Sequence, residues 1–321
     1  MEYIKGFTFG WMSKKGDFLK PEARDSLRLL KERTAINTVI FALAALQDTP
    51  QSTEIDFSGD HMVSDEELIG MIQYARSLGL RTILKPTVNV RNGTWRAHIN
   101  FFDLDVPNEP TWGEWFESYT RYQCHYALIA EGTHCEMLIV GCEMVQAERR
   151  EQEWRRLIEE VRKNYRGLIS YNTDKYQEDH VKWWDAVDVI SSSGYYPMED
   201  WDNQLERIEK VILTYNKPFF FAEAGCMSRT GSSSIPNDWS IKGKVNLEEQ
   251  AQYYKVMFEK TRSKEWVKGF ALWDWSALLY DEEEAACDGG YGVYGKPAEK
   301  VIKDFYSSYS LPLKSTPSTD V

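Results

Sequence analysis

The sequence predicts a single α/β domain built as a (β/α)8 TIM barrel. Three observations carry that expectation. Short apolar runs bounded by Pro or Gly recur eight times, as they do where parallel strands are buried on both faces. Amphipathic, charge-rich segments alternate with them, the rhythm of a barrel in which each strand is followed by a helix. No GxGxxG follows the first strand, because Gly6, Gly10 and Gly16 have the wrong spacing, and this disfavours an open doubly wound sheet.

The first strand is expected at residues 3–10, running into Trp11. Pro21 opens a helix over 20–34, where Leu27, Leu29 and Leu30 interleave with charges. Residues 37–45 read as the second strand. Ser64 and Glu67 stand at capping-box spacing at the start of a helix that Gly79 stops. The third strand, 81–90, carries Lys85, Pro86 and Asn89. Residues 91–110 lack periodicity but hold Trp95, His98, Phe101 and Phe102, and long loops of this kind commonly carry function.

An aromatic-rich helix over 111–131 precedes the fourth strand, 135–144. A charged helix over 148–165 leads to the fifth strand, 167–174, and a short helix around 177–186 to the sixth, 188–197. A helix at 201–215, the seventh strand at 218–225 and a Ser/Gly/Asn-rich loop at 226–245 follow. Then come a helix over 247–262, the eighth strand at 267–276, an acidic loop at 280–295 and a last helix at 298–309. Residues 1–310 thus form one catalytic-size domain, and 311–321, rich in Pro, Ser and Thr, read as a disordered tail.

Composition narrows the partners. The chain has 321 residues, 42% of them hydrophobic, enough for a packed core. A formal charge of -12 argues against nucleic acid, whose phosphates need clustered Lys and Arg, and against anionic membranes, while leaving a neutral ligand untouched. Five cysteines without CxxC spacing favour reduced thiols and a cytoplasmic setting. The first residues show no basic region followed by an apolar one, so no signal peptide is visible; a leader trimmed away would make the protein secreted. No apolar run approaches membrane-spanning length. Oligomeric state has no handle in the sequence.

The chemistry is expected where two apolar strands close on a carboxylate. Phe219-Phe220-Phe221-Ala222 ends at Glu223, and Met137-Leu138-Ile139-Val140-Gly141-Cys142 ends at Glu143. In a barrel the carboxyl ends of all strands meet at one face, so these two carboxylates face one pocket. Taken singly, each Glu is as readily an ordinary loop carboxylate paired with Arg or Lys. Their matched placement on strands four and seven favours a paired role. Hydrolysis of a glycosidic bond needs such a pair, one group to protonate the leaving oxygen and one to attack or to activate water.

The chain resembles glycoside hydrolase family 113, the endo-β-1,4-mannanases of the clan A retaining glycosidases. The resemblance rests on Lys5-Gly6-Phe7-Thr8-Phe9-Gly10-Trp11, Val140-Gly141-Cys142-Glu143, Ser193-Gly194-Tyr195-Tyr196-Pro197, Phe221-Ala222-Glu223-Ala224-Gly225 and Gly269-Phe270-Ala271-Leu272-Trp273-Asp274-Trp275. It implies Glu143 as general acid/base and Glu223 as nucleophile of a double displacement, with the carboxylates about 5–5.5 Å apart and no metal or cofactor. It implies that Tyr195, or else Tyr196, hydrogen-bonds the nucleophile, and that Trp273 lies under the reacting sugar. Pyranose C–H faces pack on indole while polar side chains read hydroxyls, which makes Trp11, Trp95, Lys85, Asn89 and Asp274 subsite candidates. Trp275 is expected on the opposite face, packed against a helix. The chain departs from the clan at Cys142, where many members place an Asn that contacts the sugar 2-hydroxyl; Asn89, Asn172 or Lys85 could supply that contact. The partner so implied is β-mannan, glucomannan or a manno-oligosaccharide.

Other readings remain on the same scaffold. An exo-β-mannosidase, β-glucanase or xylanase differs in its subsite loops, and a sugar-binding barrel without activity would lack one of the carboxylates. A metal-dependent hydrolase is disfavoured because His61, His98, His125, His134 and His180 include no HxH pair. Ala224-Gly225-Cys226 is a poor turn for phosphate, which disfavours a phosphate-binding barrel.

Overall fold

A computed structural model describes residues 1–309; the expected tail at 311–321 lies outside the described residues. Eight parallel strands close on one another in sequence order, β1 through β8, with β8 returning to β1. They are β1 (Ile4–Phe9), β2 (Thr38–Gln47), β3 (Arg81–Val90), β4 (Met137–Cys142), β5 (Leu168–Thr173), β6 (Val189–Ser193), β7 (Phe219–Glu223) and β8 (Val267–Trp275). Seven α-helices surround them among the described residues: α1 (Pro21–Thr34), α2 (Asp65–Ser77), α3 (Trp112–Gly132), α4 (Glu151–Asn164), α5 (Trp201–Tyr215), α6 (Leu247–Thr261) and α7 (Pro297–Ser308).

The local signals that start and stop these helices are those legible in the sequence. Pro21 occupies the first turn of α1. Ser64 and Glu67 form a reciprocal capping box on α2, and Thr111 and Glu114 form another on α3. One expected helix is absent. Residues 177–186, between β5 and β6, form turns and a single 3-10 segment, Trp184–Ala186. Trp183 and Trp184 do the work of the missing helix there. Both are fully buried; Trp183 stacks on Trp154 of α4, and the two indole N–H groups donate to the carbonyls of Glu148 and Glu178.

Apolar side chains sort by strand face into two layers. Ile4, Ile40, Ile83, Met137, Ile139, Val189, Phe220, Ala222 and Ala271 fill the barrel interior. Alternate strand residues, such as Phe219 and Phe221, face the helices and join the larger cluster that includes Trp115, Trp154 and Trp201. The aromatic face of α3 also ties down backbone: Tyr119 and Tyr122 donate to the carbonyls of Val140 and Thr87. A third cluster, Tyr195, Met227, Trp273 and Tyr291, sits apart from both with Trp11 against it. It marks the mouth of the barrel.

Candidate active site

Strict alternation would turn Glu223 away from the mouth, since Ala222 already faces inward, and both β4 and β7 abandon alternation where they end. In β4 the pairing with β5 slips between Ile139 and Cys142. A Cβ on Gly141 would stand 2.8 Å from the Tyr171 ring and 3.0 Å from Trp154, so this residue faces the helix layer just as Val140 before it does. The bulge turns Cys142 inward, and Glu143 follows in the left-handed region at φ 53°. Its backbone N–H is held by the Asn172 carbonyl at 2.8 Å. In β7 a similar irregularity, opposite Ser192 and Ser193, re-aims Glu223 after the inward-facing Ala222. In β8 an extra residue between the partners of Phe7 and Phe9 separates the faces of Trp273 and Trp275. Trp275 packs outward as expected, its N–H on Ser26 Oγ. The bulge is the reason, since residues two apart on a regular strand share a face.

The two glutamates are both buried but held differently. Glu223 Oε1 accepts from Lys85 Nζ at 2.6 Å and from the Cys142 thiol at 3.3 Å, and Oε2 accepts from the Tyr195 hydroxyl at 3.0 Å. Burial pushes its carboxyl up, but the charges of Lys85 and Arg96 and the hydrogen bonds from Lys85 and Cys142 outweigh it and leave the group below its ordinary value. Glu143 Oε1 accepts from Ser193 Oγ at 2.7 Å, and Oε2 accepts from Arg96 Nη1 at 3.1 Å and Trp95 Nε1 at 3.3 Å. Each carboxylate thus has three donors and one cation.

A cavity of about 700 Å³ opens over them. Of the residues singled out in the sequence, Glu143, Glu223, Tyr195, Trp11, Asn89, Trp95 and Trp273 line it. Lys85 and Asn172 do not. Both are fully buried beneath the carboxylates, where Lys85 Nζ reaches Glu223, the Ala222 carbonyl and Asn172 Oδ1, while Asn172 Nδ2 donates to Ser193 Oγ. They support the carboxylates from below. Tyr196 is a correction: it turns into the outer core against Trp201 and Phe221, and its hydroxyl donates to Glu178. Of the Tyr195–Tyr196 pair, adjacent strand-end residues with opposite directions, only Tyr195 faces inward. Asp274 is also displaced from the expected subsite, half-buried and off the cavity wall; burial and then the Glu223 charge push its carboxyl up to about 7.

The structure adds residues that the sequence alone did not single out. Arg96 and Ser193 each donate to Glu143, and Asp174, Lys175, Asn237 and Trp239 line the cavity. Arg96 directly follows Trp95 in the long loop, and Ser193 opens the motif that ends β6. Trp239 lies in the featureless loop after β7, yet its ring reaches Tyr291 at 4.5 Å and Trp273 at 6.1 Å. Trp11 meets Trp273 from the other side at 5.1 Å. Among the described residues no group of three His, Cys, Asp or Glu could hold a metal ion, and no helix is long and apolar enough to cross a membrane.

Two buried glutamates at the carboxyl ends of β4 and β7, under an aromatic-lined cavity of a (β/α)8 barrel, define a glycoside hydrolase. The profile of Glycoside Hydrolase Family 113 matches residues 7–296, and the chain belongs to that family. Among solved structures it is similar to a GH113 β-1,4-mannanase complex at 68% identity and TM-score 0.96, over 96% of this chain and 100% of that one. A second GH113 β-1,4-mannanase structure is 69% identical with the same coverage and TM-score. The GH113 β-mannanase AaManA of Alicyclobacillus acidocaldarius is 44% identical, TM-score 0.93, over 96% of this chain and 98% of that one. Curated proteins include no match.

Proposed function

We propose that this glycoside hydrolase cuts internal β-1,4-mannosidic bonds of mannan, glucomannan or manno-oligosaccharides by double displacement, with Glu143 as general acid/base and Glu223 as nucleophile. The carrying observation is the set of donors on Glu223. A lysine, a thiol and a tyrosine hydroxyl all converge on it, and a carboxylate so supported stays ionised and fixed in direction. Glu143 gives its proton to the glycosidic oxygen as Glu223 attacks the anomeric carbon, forming a glycosyl ester and releasing the leaving sugar. Water then gives a proton to Glu143 and attacks the ester, returning Glu223 as carboxylate with configuration retained at the sugar.

The named activity of the GH113 structures supports mannose as the sugar. Cavity shape supports internal cleavage. Besides the two carboxylates its wall includes Asn89, Arg91, Trp95, Asp174, Asn237 and Trp239, and its volume of about 700 Å³ exceeds what one pyranose fills. Trp95 and Trp239 are 43% and 61% exposed, platforms for sugars beyond the reacting one.

Hydrolysis of reduced manno- and cello-oligosaccharides of matched length tests the reading, with Glu143→Gln and Glu223→Gln run alongside. Internal cleavage of the mannose series alone is expected, with kcat lower by about 10⁴-fold or more in Glu223→Gln. Activity surviving Glu223→Gln would remove the nucleophile assignment, and release of terminal mannose alone would make the enzyme exo-acting.

A further inference from the structure

We propose that Asp174, together with Lys175, holds the sugar on the leaving side of the scissile bond, and so sets how well the enzyme uses a sugar leaving group or a sugar acceptor. The assignment rests on the reading of Glu143 as general acid.

Strand order gives the direction. β8 and β1 bring Trp273 and Trp11 to one side of the mouth, whereas β4 brings Glu143 and the neighbouring β5 ends next to Asp174. The leaving oxygen must face the acid that protonates it. Whatever is attached to that oxygen therefore extends past Glu143, away from the Trp273 platform, and Asp174 and Lys175 are part of the cavity wall there.

Hydrogen bonding then separates Asp174 from the other buried carboxylates. Glu143, Glu223 and Glu178 each accept three hydrogen bonds from side chains, Glu148 accepts two, and Glu67 and Glu299 each accept two that include backbone N–H groups. Asp174 is only 7% exposed, yet no side chain among the described residues is within hydrogen-bond range of it. Its support is the backbone N–H of Lys175 and the Lys175 ammonium, 3.6 Å away, while Glu143 and Glu178 press on it with like charge. A carboxylate buried to that degree without side-chain donors is under-satisfied, and the cavity is the side from which further donors can come.

A pyranose supplies what is missing. Neighbouring hydroxyls donate to the two carboxylate oxygens, and a hydroxyl oxygen accepts from the Lys175 ammonium. The ligand is neutral, and two adjacent opposite charges bind it without a net field. The same contacts would hold an incoming sugar that replaces water in attacking the glycosyl ester. The exchange conserves bonds: the acceptor hydroxyl loses its proton to Glu143 as its oxygen displaces Glu223.

The test compares two substrates that differ in the leaving group. Reduced mannopentaose has a sugar leaving group, whereas an aryl β-mannobioside releases a phenol that needs little protonation. Asp174→Ala is expected to lower the ratio of kcat/KM on the pentaose to that on the aryl mannobioside by about ten- to a hundred-fold, the range for losing charged hydrogen bonds to a ligand. Transfer to added mannobiose should fall in parallel. Asp174→Asn, which keeps the shape, and Lys175→Met should each lower the ratio by a smaller factor, and they serve if the alanine variant does not fold. An unchanged ratio, whether both activities persist or both fall together, would overturn the assignment. Glu143→Gln provides the independent arm. It should keep rapid phenol release while losing pentaose hydrolysis, and loss of both would remove the acid/base reading itself rather than the role of Asp174.

Discussion

Two carboxylates, Glu223 and Glu148, sit at similar depth on opposite faces of the barrel wall and differ in what surrounds them. Glu223 faces the mouth, with Lys85 at 2.6 Å and Arg96 close enough to act on it. Glu148 faces outward behind β5, where among the described residues it accepts only hydroxyls, Thr173 Oγ1 at 2.6 Å and Tyr171 at 2.8 Å, and its Oε2 has no partner. Burial pushes both upward. Against Glu148 the hydroxyls only partly offset it, and the carboxyl rises to about 8; on Glu223 the cations reverse it. Depth alone therefore does not decide which buried acid is ionised. The cation does.

The sites are also joined. Tyr171 donates to Glu148 and accepts from the Met144 N–H at 3.0 Å, the residue directly after Glu143. The outward acid thus steadies the end of the strand that carries the inward one.

Three substitutions sharpen this comparison. Lys85→Met should have the largest effect. Without the ammonium, burial is no longer offset and the Glu223 carboxyl rises, so the acid limb of kcat/KM against pH should move to higher pH, with activity at neutral pH falling by about a hundred-fold or more. An acid limb left in place would mean that Arg96 and the thiol hold Glu223 without Lys85.

Glu148→Gln comes next, read in stability. The carboxyl's raised value means that folding takes up a proton between its ordinary 4.5 and about 8. Its stabilising contribution is complete below that window and is lost as pH rises through it. The stability of Glu148→Gln relative to the parent should therefore improve with pH across this range, by about a few kcal/mol at most, in denaturant titrations. A constant difference would show the acid to be neutral in neither state.

Tyr195→Phe should be smallest. It removes one neutral donor from Glu223 and leaves the cation, so kcat should fall about ten-fold while the acid limb moves little.

The barrel was legible from the sequence because its physical basis is local. Buried strands need short apolar runs, and helices need caps and a periodic apolar face, as at Ser64-Glu67 and Pro21. Glu143 and Glu223 were legible for the same reason, each a carboxylate closing such a run, and Trp11, Asn89, Trp95 and Trp273 followed from strand ends and loops. Directions were legible only in part. Tyr195 continues the inward alternation of Val189 and Ser193, whereas the parting of Trp273 and Trp275 and the turn of Glu223 depend on bulges, which one strand creates only against its neighbour. The missing helix before β6 escaped for a related reason: Trp183 packs on Trp154, a contact across 29 residues of chain, and Trp184 packs on Trp183 and Tyr171. By itself, then, the sequence determined the architecture and the two acids, since periodicity and strand ends are written residue by residue. Only the tertiary structure decided that Lys85 and Asn172 lie under the site, that Arg96 and Ser193 serve Glu143, and that Asp174 has no side-chain donor among the described residues, because each depends on which strands and loops barrel closure brings together.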